Sequence, residues 1–124
     1  MKKIHRLKDS KDFQKVFQQG RSCANRYLVL YYRYNNEGNT YRVGFSVSKK
    51  VGNAVVRNRV KRLLREIFRL EGEAIEESID FVVVARPLAA DLTYEEMKKS
   101  LVHVLKKSGV IKKGAITKKD GADD

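Results

Sequence analysis

Lys49-Lys50-Val51-Gly52-Asn53-Ala54-Val55-Val56-Arg57-Asn58-Arg59-Val60-Lys61-Arg62-Leu63-Leu64-Arg65-Glu66 is the stretch around which the rest of the chain is read. On a helix over 56–70, at about 3.6 residues per turn, Val56, Val60, Leu63, Leu64, Ile67 and Leu70 share one side. Arg57, Lys61, Arg65 and Arg69 form an i, i+4 row on the other, with Asn58 and Arg62 beside them and Arg59 on the flank. Like charges four residues apart destabilise a helix slightly, and this helix repeats that cost along its whole polar face. A polyanion that neutralises the row accounts for the pattern. A merely solvated face would mix Glu with Lys, and only Glu66 interrupts here.

Moving outward, Lys49 to Asn53 joins a strand to this helix. Gly52 gives the turn its freedom and Asn53 is the expected N-cap. Backbone N–H groups and the helix dipole therefore join the lysines in favouring a phosphate. The strand before it, over 41–48, alternates: Val43, Phe45 and Val47 point to a core, while Arg42, Gly44, Ser46 and Ser48 point away. That second face is small and polar, a floor on which something else can lie. Residues 35–39 read as a hairpin loop, preceded by a strand over 27–34. Leu28 and Leu30 lie on one of its faces, and Tyr27, Val29, Tyr31 and Arg33 on the other. Tyr31 and Arg33 beside the small face of the return strand combine stacking, guanidinium and hydroxyl groups, the means by which single-stranded RNA is recognised. A short helix over 11–19 precedes these strands, capped by Ser10 and closed by Gly20 in a left-handed conformation. Its Val16 is a core residue. Phe13 and Phe17, flanked by Lys11 and Lys15, are either core or a stacking edge for unpaired bases, and the residues alone leave both open. A further short strand fits 21–23.

Beyond 70, Glu71, Glu73, Glu76, Glu77 and Asp80 form an acidic patch without metal-site spacing, read as a solvated connection. Residues 79–85 are almost continuously Ile, Phe and Val, as in a strand buried on both faces. Thr93-Tyr94-Glu95-Glu96 has the capping-box pattern and opens a last helix with Tyr94, Met97, Leu101, Val104 and Leu105 inward. His103 is a surface or packing residue. The expected division is a domain over 1–108 and a disordered tail over 109–124. The expected architecture is α+β, one sheet covered by helices on one face with the other face available.

The 124 residues carry a net charge of +12 and a pI near 9.9. Residues 1–69 alone hold +14 and the remainder −2, so one half of the chain is a cation. A membrane-surface helix would want Trp, Phe or Leu facing lipid. There is no Trp, and the apolar face is needed to cover a sheet. One cysteine, Cys23, and two distant histidines cannot assemble a zinc site or a disulfide framework. Cys23 reads as a small buried thiol. The N-terminus lacks a signal-peptide core and no run reaches transmembrane length, so the expectation is a cytoplasmic protein with no membrane partner.

Arg57-Asn58-Arg59, with Lys49-Lys50-Val51-Gly52-Asn53-Ala54 before it, resembles the protein subunit of bacterial ribonuclease P. The resemblance extends from Arg6-Leu7-Lys8 through Asp12-Phe13-Gln14-Lys15-Val16-Phe17 and Gly20 to the last helix. It implies an α/β sandwich in α-β-β-β-α-β-α order, with one mixed sheet and a left-handed βαβ crossover, against the usual handedness. It also implies that the chain, one copy per RNA, joins a catalytic ribonuclease P RNA that removes the 5′ leader of precursor tRNA. That RNA supplies the chemistry and requires magnesium; the polypeptide contributes no catalytic residue, metal site or cofactor. The leader-binding residues implied are Phe13, Phe17, Tyr31 and Asn58, which favours binding for the two phenylalanines; the reading of the sheet face adds Arg33, Arg42 and Ser46 to the leader-binding set. Those facing the RNA subunit are Lys49, Lys50, Arg57, Arg59, Lys61, Arg62 and Arg65. A ribosomal-type structural RNA binder would share the basic helix but has no need of Phe13, Phe17, Tyr31 and Ser46 together. A stand-alone nuclease using the acidic patch would cut precursor tRNA with magnesium and no RNA subunit.

Overall fold

Seven apolar-rich residues, Ile79–Ala85, form the strand about which the molecule is assembled. In this computed structural model, which describes residues 6, 7, 9–35, 40–75 and 78–110, six of the seven are buried. The strand sits inside a four-stranded sheet in the order β1-β2-β4-β3. The elements are α1 (Ser10–Gln19), β1 (Arg21–Ala24), β2 (Leu28–Tyr34), β3 (Arg42–Ser46), α2 (Ala54–Glu71), β4 (Ile79–Ala85) and α3 (Tyr94–Ser108), with 3-10 turns at Gly72–Ala74 and Pro87–Asp91. β4 pairs antiparallel with β2 and parallel with β3, so β3-α2-β4 is a parallel crossover. The α+β class, the element order and the mixed sheet agree with the sequence reading.

The hairpin expected between the second and third strands does not form as a pair, because β4 lies between β2 and β3. A strand apolar on both faces buries most area at the centre of a sheet, and β4 takes that place. Residues 36–39 of the expected loop lie outside the described residues. The hairpin that does form is β1–β2, where the Asn25 side-chain oxygen accepts from the N–H groups of Tyr27 and Leu28.

The sheet is covered on both faces. Leu28, Leu30, Val43, Phe81 and Val83 pack with α2 and α3 in the main core. Val82 packs on the other side with Val16 of α1 and Leu7, so that face is only partly available. Asp9, not Ser10, caps α1, its carboxylate accepting from Lys11 N–H. Gly20 ends α1 with an extended φ of −91°, not a left-handed one. Its glycine is required by space: a Cβ there would lie 2.5 Å from the Tyr32 carbonyl oxygen. The left-handed residue is Gly109, at φ 80° after α3. Asn53 caps α2 and Thr93–Glu96 forms the capping box of α3, both as expected. The tail over 111–124 lies outside the described residues.

Candidate nucleic-acid interface

The face of the sheet beneath α1 is ordered in rungs set by strand register. The first runs Arg33, Asp80, Arg42; the second Ser22, Tyr31, Val82, Gly44; the third Ala24, Val29, Val84, Ser46. Helix α1 crosses above the first two. Phe13 sits directly over Gly44, whose missing side chain makes room for the ring. Phe17 meets Tyr31 edge-on with centroids 4.8 Å apart and is 41% exposed. Beyond this pair the third rung is half-buried. Phe13, Phe17, Tyr31 and Ser46 therefore border one strip of sheet, with an accessible aromatic edge along one side.

Two residues expected on this strip have other occupations. The Arg42 guanidinium donates to both oxygens of Asp80, at 2.9 and 2.7 Å, and approaches Asp12 of α1 at 3.5 Å. Arg33 donates to the Gln19 side chain at 3.2 Å and lines a cleft of about 450 Å³ where α1 turns into β1. Asp80, read from sequence as part of a solvated acidic patch, is 2% exposed. A carboxylate inside an apolar strand has to be paired, and Arg42 with Asn35 (2.6 Å) pairs it. Glu71 of the same patch pairs with Lys98; Glu76 and Glu77 lie outside the described residues.

Helix α2 carries the cationic surface. Asn53 Oδ1 accepts from Val56 N–H at 3.0 Å and its backbone carbonyl from Arg57 N–H at 2.9 Å; Lys49 and Lys50, in the turn before the helix, are exposed. The helix is rotated from the sequence-based placement. Phe68 is fully buried and Leu70 is 44% exposed, because Phe68 packs among Tyr41, Phe45 and Phe81. Asn58, Arg62 and Glu66 form the outermost row; Arg57, Lys61, Arg65 and Arg69 are half-buried along its flank. Arg59 turns the opposite way and donates to the carbonyls of Ala90 and Leu92, at 3.0 and 2.7 Å. Glu66 is held below the usual carboxylate range by its hydrogen bond from Arg69, so the last arginine of the row is neutralised within the helix. Arg65 Nε and Arg69 Nη1 are shielded from solvent without a hydrogen-bond partner among the described residues.

A family model described as Ribonuclease P matches residues 1–109. The chain belongs to the ribonuclease P protein family. It is 52% identical over 110 residues to the ribonuclease P protein components of Bacillus cereus (strain AH187) and Bacillus anthracis (strain CDC 684 / NRRL 3495). The match covers 89% of this chain and 96% and 92% of theirs. Among solved structures it is similar to the Staphylococcus aureus RNase P protein, with TM-score 0.82 and 44% identity over 89% of this chain and all of that one. The RNase P protein from Thermotoga maritima aligns with TM-score 0.75 and 33% identity, over 83% and 96% of the two chains. As a member of this family the chain is the protein component of the ribonuclease P endoribonuclease, which in bacteria works with an RNA subunit in tRNA 5′ processing.

Within this ribonuclease P protein, sequence reasoning missed Asp80 as the buried partner that holds Arg42, and Asp12 and Gln19 as the residues that tie α1 to the sheet. Asp80 was detectable: it interrupts an apolar run, and by strand alternation it shares a face with Val82 and Val84. The role of Gln19 depends on the angle of α1, for which the sequence carries no signal. Among the described residues, no group of three or more His, Cys, Asp or Glu is placed to hold a metal ion, and no helix is long and apolar enough to cross a membrane.

Proposed function

We propose that the chain gives the ribonuclease P holoenzyme two separate RNA contacts. The first is a leader trough: the single-stranded 5′ leader of precursor tRNA lies on the strip bordered by Phe13, Phe17, Tyr31 and Ser46; Asn58, exposed on the outer row of α2, meets the leader beyond that strip. The observation that carries this reading is the exposed Phe17 ring set edge-on against Tyr31 beside an open rung of sheet. Unpaired bases stack on such edges without sequence preference, each contributing about 1–3 kcal/mol.

The second contact is the basic rod. Lys49, Lys50, Arg57, Lys61, Arg62 and Arg65 neutralise phosphates of the ribonuclease P RNA. Arg59 and Arg42 are assigned to holding the scaffold, since their guanidiniums are committed to Ala90, Leu92 and Asp80. One protein joins one RNA in the cytoplasm. Cleavage uses magnesium held by the RNA, and ordering of leader phosphates by the protein favours that metal indirectly.

Reconstitution with a bacterial ribonuclease P RNA at low magnesium tests this. The wild-type chain is expected to restore cleavage of precursor tRNA, and the protein without RNA to give none. Phe17→Ala with Tyr31→Ala should weaken precursor tRNA binding by about 1–3 kcal/mol per lost stack and leave mature tRNA binding unchanged. Equal losses for both substrates would refute the trough.

A further inference from the structure

Helix α1 is tied to the sheet at both ends by polar contacts to the first rung. Near its start Asp12 Oδ2 lies 3.5 Å from Arg42 Nη1; at its end Gln19 Oε1 accepts from Arg33 Nε at 3.2 Å. Between them only Val16 of the helix is fully buried, so apolar packing alone gives α1 a narrow seat. The Arg42 tie is the stronger anchor. Its planar fork holds Asp80 through two bonds, at 2.9 and 2.7 Å, and Asp80 is fixed further by Asn35 at 2.6 Å. An arginine gripped bidentately by a buried carboxylate is directionally fixed, and its remaining nitrogen points at α1.

We propose that Arg42 is a positioning residue for leader recognition: shared between Asp80 of β4 and Asp12 of α1, it sets the height and tilt of α1 over the sheet. It thereby sets the gap between the Phe13 and Phe17 rings and the rung that receives the leader. The proposal rests on the reading of that strip as the leader trough. It departs from the direct leader contact that the sequence suggests for Arg42, because the charge a phosphate would meet is already taken up inside the protein.

The two roles predict opposite results for small changes. Arg42→Lys keeps the positive charge and a phosphate contact, but an ammonium cannot bridge two carboxylates as a planar fork does. Asp12→Asn keeps the Arg42–Asp80 pair, weakens the tie to α1 by removing its charge, and makes the protein more cationic beside the trough, which by charge alone tightens leader binding. Both variants, and Phe17→Ala beside them, would be assembled with the RNA subunit and titrated with precursor and mature tRNA over a range of salt, with circular dichroism confirming the fold.

The expected result is that Arg42→Lys and Asp12→Asn each cut the preference for precursor over mature tRNA by roughly fivefold or more, the low end for one lost base stack. The salt slope and the affinity for the RNA subunit stay at their wild-type values. The proposal is overturned if Arg42→Lys behaves as wild type, or if Asp12→Asn binds precursor tRNA as tightly or more tightly. If Phe17→Ala also leaves the preference intact, the trough reading itself fails. If Phe17→Ala lowers it and the other two do not, only the positioning role is lost.

Discussion

A Cβ at position 44 would lie 2.3 Å from Cζ of Phe13, so this one glycine determines how closely the α1 ring approaches the sheet. Gly44→Ala should lift Phe13, costing about 1–3 kcal/mol of stability as overpacking does, and should lower precursor tRNA affinity with it. A denaturant titration and a leader-binding titration check the two effects; loss of neither would mean that Phe13 is not seated on residue 44. Cys23 shows how much of a residue's behaviour is readable in advance. Its Sγ donates to the Val104 carbonyl, and burial pushes its thiol above the usual value despite Lys107 nearby. At pH 8 it holds less thiolate than a free thiol, and iodoacetamide should alkylate it more slowly than an unstructured cysteine peptide; an equal rate would contradict that environment. The small-thiol reading was available from the absence of partner ligands in the sequence. The pairing of Asp80 with Arg42 is made across strands, whereas the local signal along the chain places the carboxylate with its acidic neighbours.

At the scale of elements, α2 carries two kinds of arginine that the sequence presents as one. Arg62 is exposed on the outer row, whereas Arg59 anchors the helix to the Pro87–Asp91 turn. Arg59→Ala should therefore destabilise the fold by about 2 kcal/mol, as expected for charged hydrogen bonds, seen as a lower urea midpoint. Arg62→Ala should leave stability unchanged, weaken binding to the ribonuclease P RNA and reduce the salt slope by about one. Identical behaviour of the two would remove the distinction. The helix itself, its Asn53 cap and the capping box of α3 were legible, since caps and periodicity are local signals. Its rotation was not. Leu70 and Phe68 both fit an apolar stripe, and the choice between them is made by Tyr41, Phe45 and Phe81, which lie on other elements.

For the whole molecule, the sequence carries the element order and the composition of the two sheet faces but not the order of strands. Neighbours in sequence usually pair, which favours a β2–β3 hairpin. The demand of Ile79–Ala85 for burial on both faces overrides that tendency and splits the two apart. The same arrangement separates the two proposed RNA contacts: the strip assigned to the leader lies between α1 and one face of the sheet, and α2 packs against the other through Val60, Leu64 and Phe68. Changes at distant sites without shared partners add independently. The most direct test is a crosswise pair of affinities, for the RNA subunit and for the leader, measured on Phe17→Ala with Tyr31→Ala, on Arg62→Ala with Arg65→Ala, and on the combination. The account predicts that the first variant loses only leader affinity, the second only RNA-subunit affinity, and the combination their sum. If either variant lowers both affinities together, the protein has one RNA surface and not two.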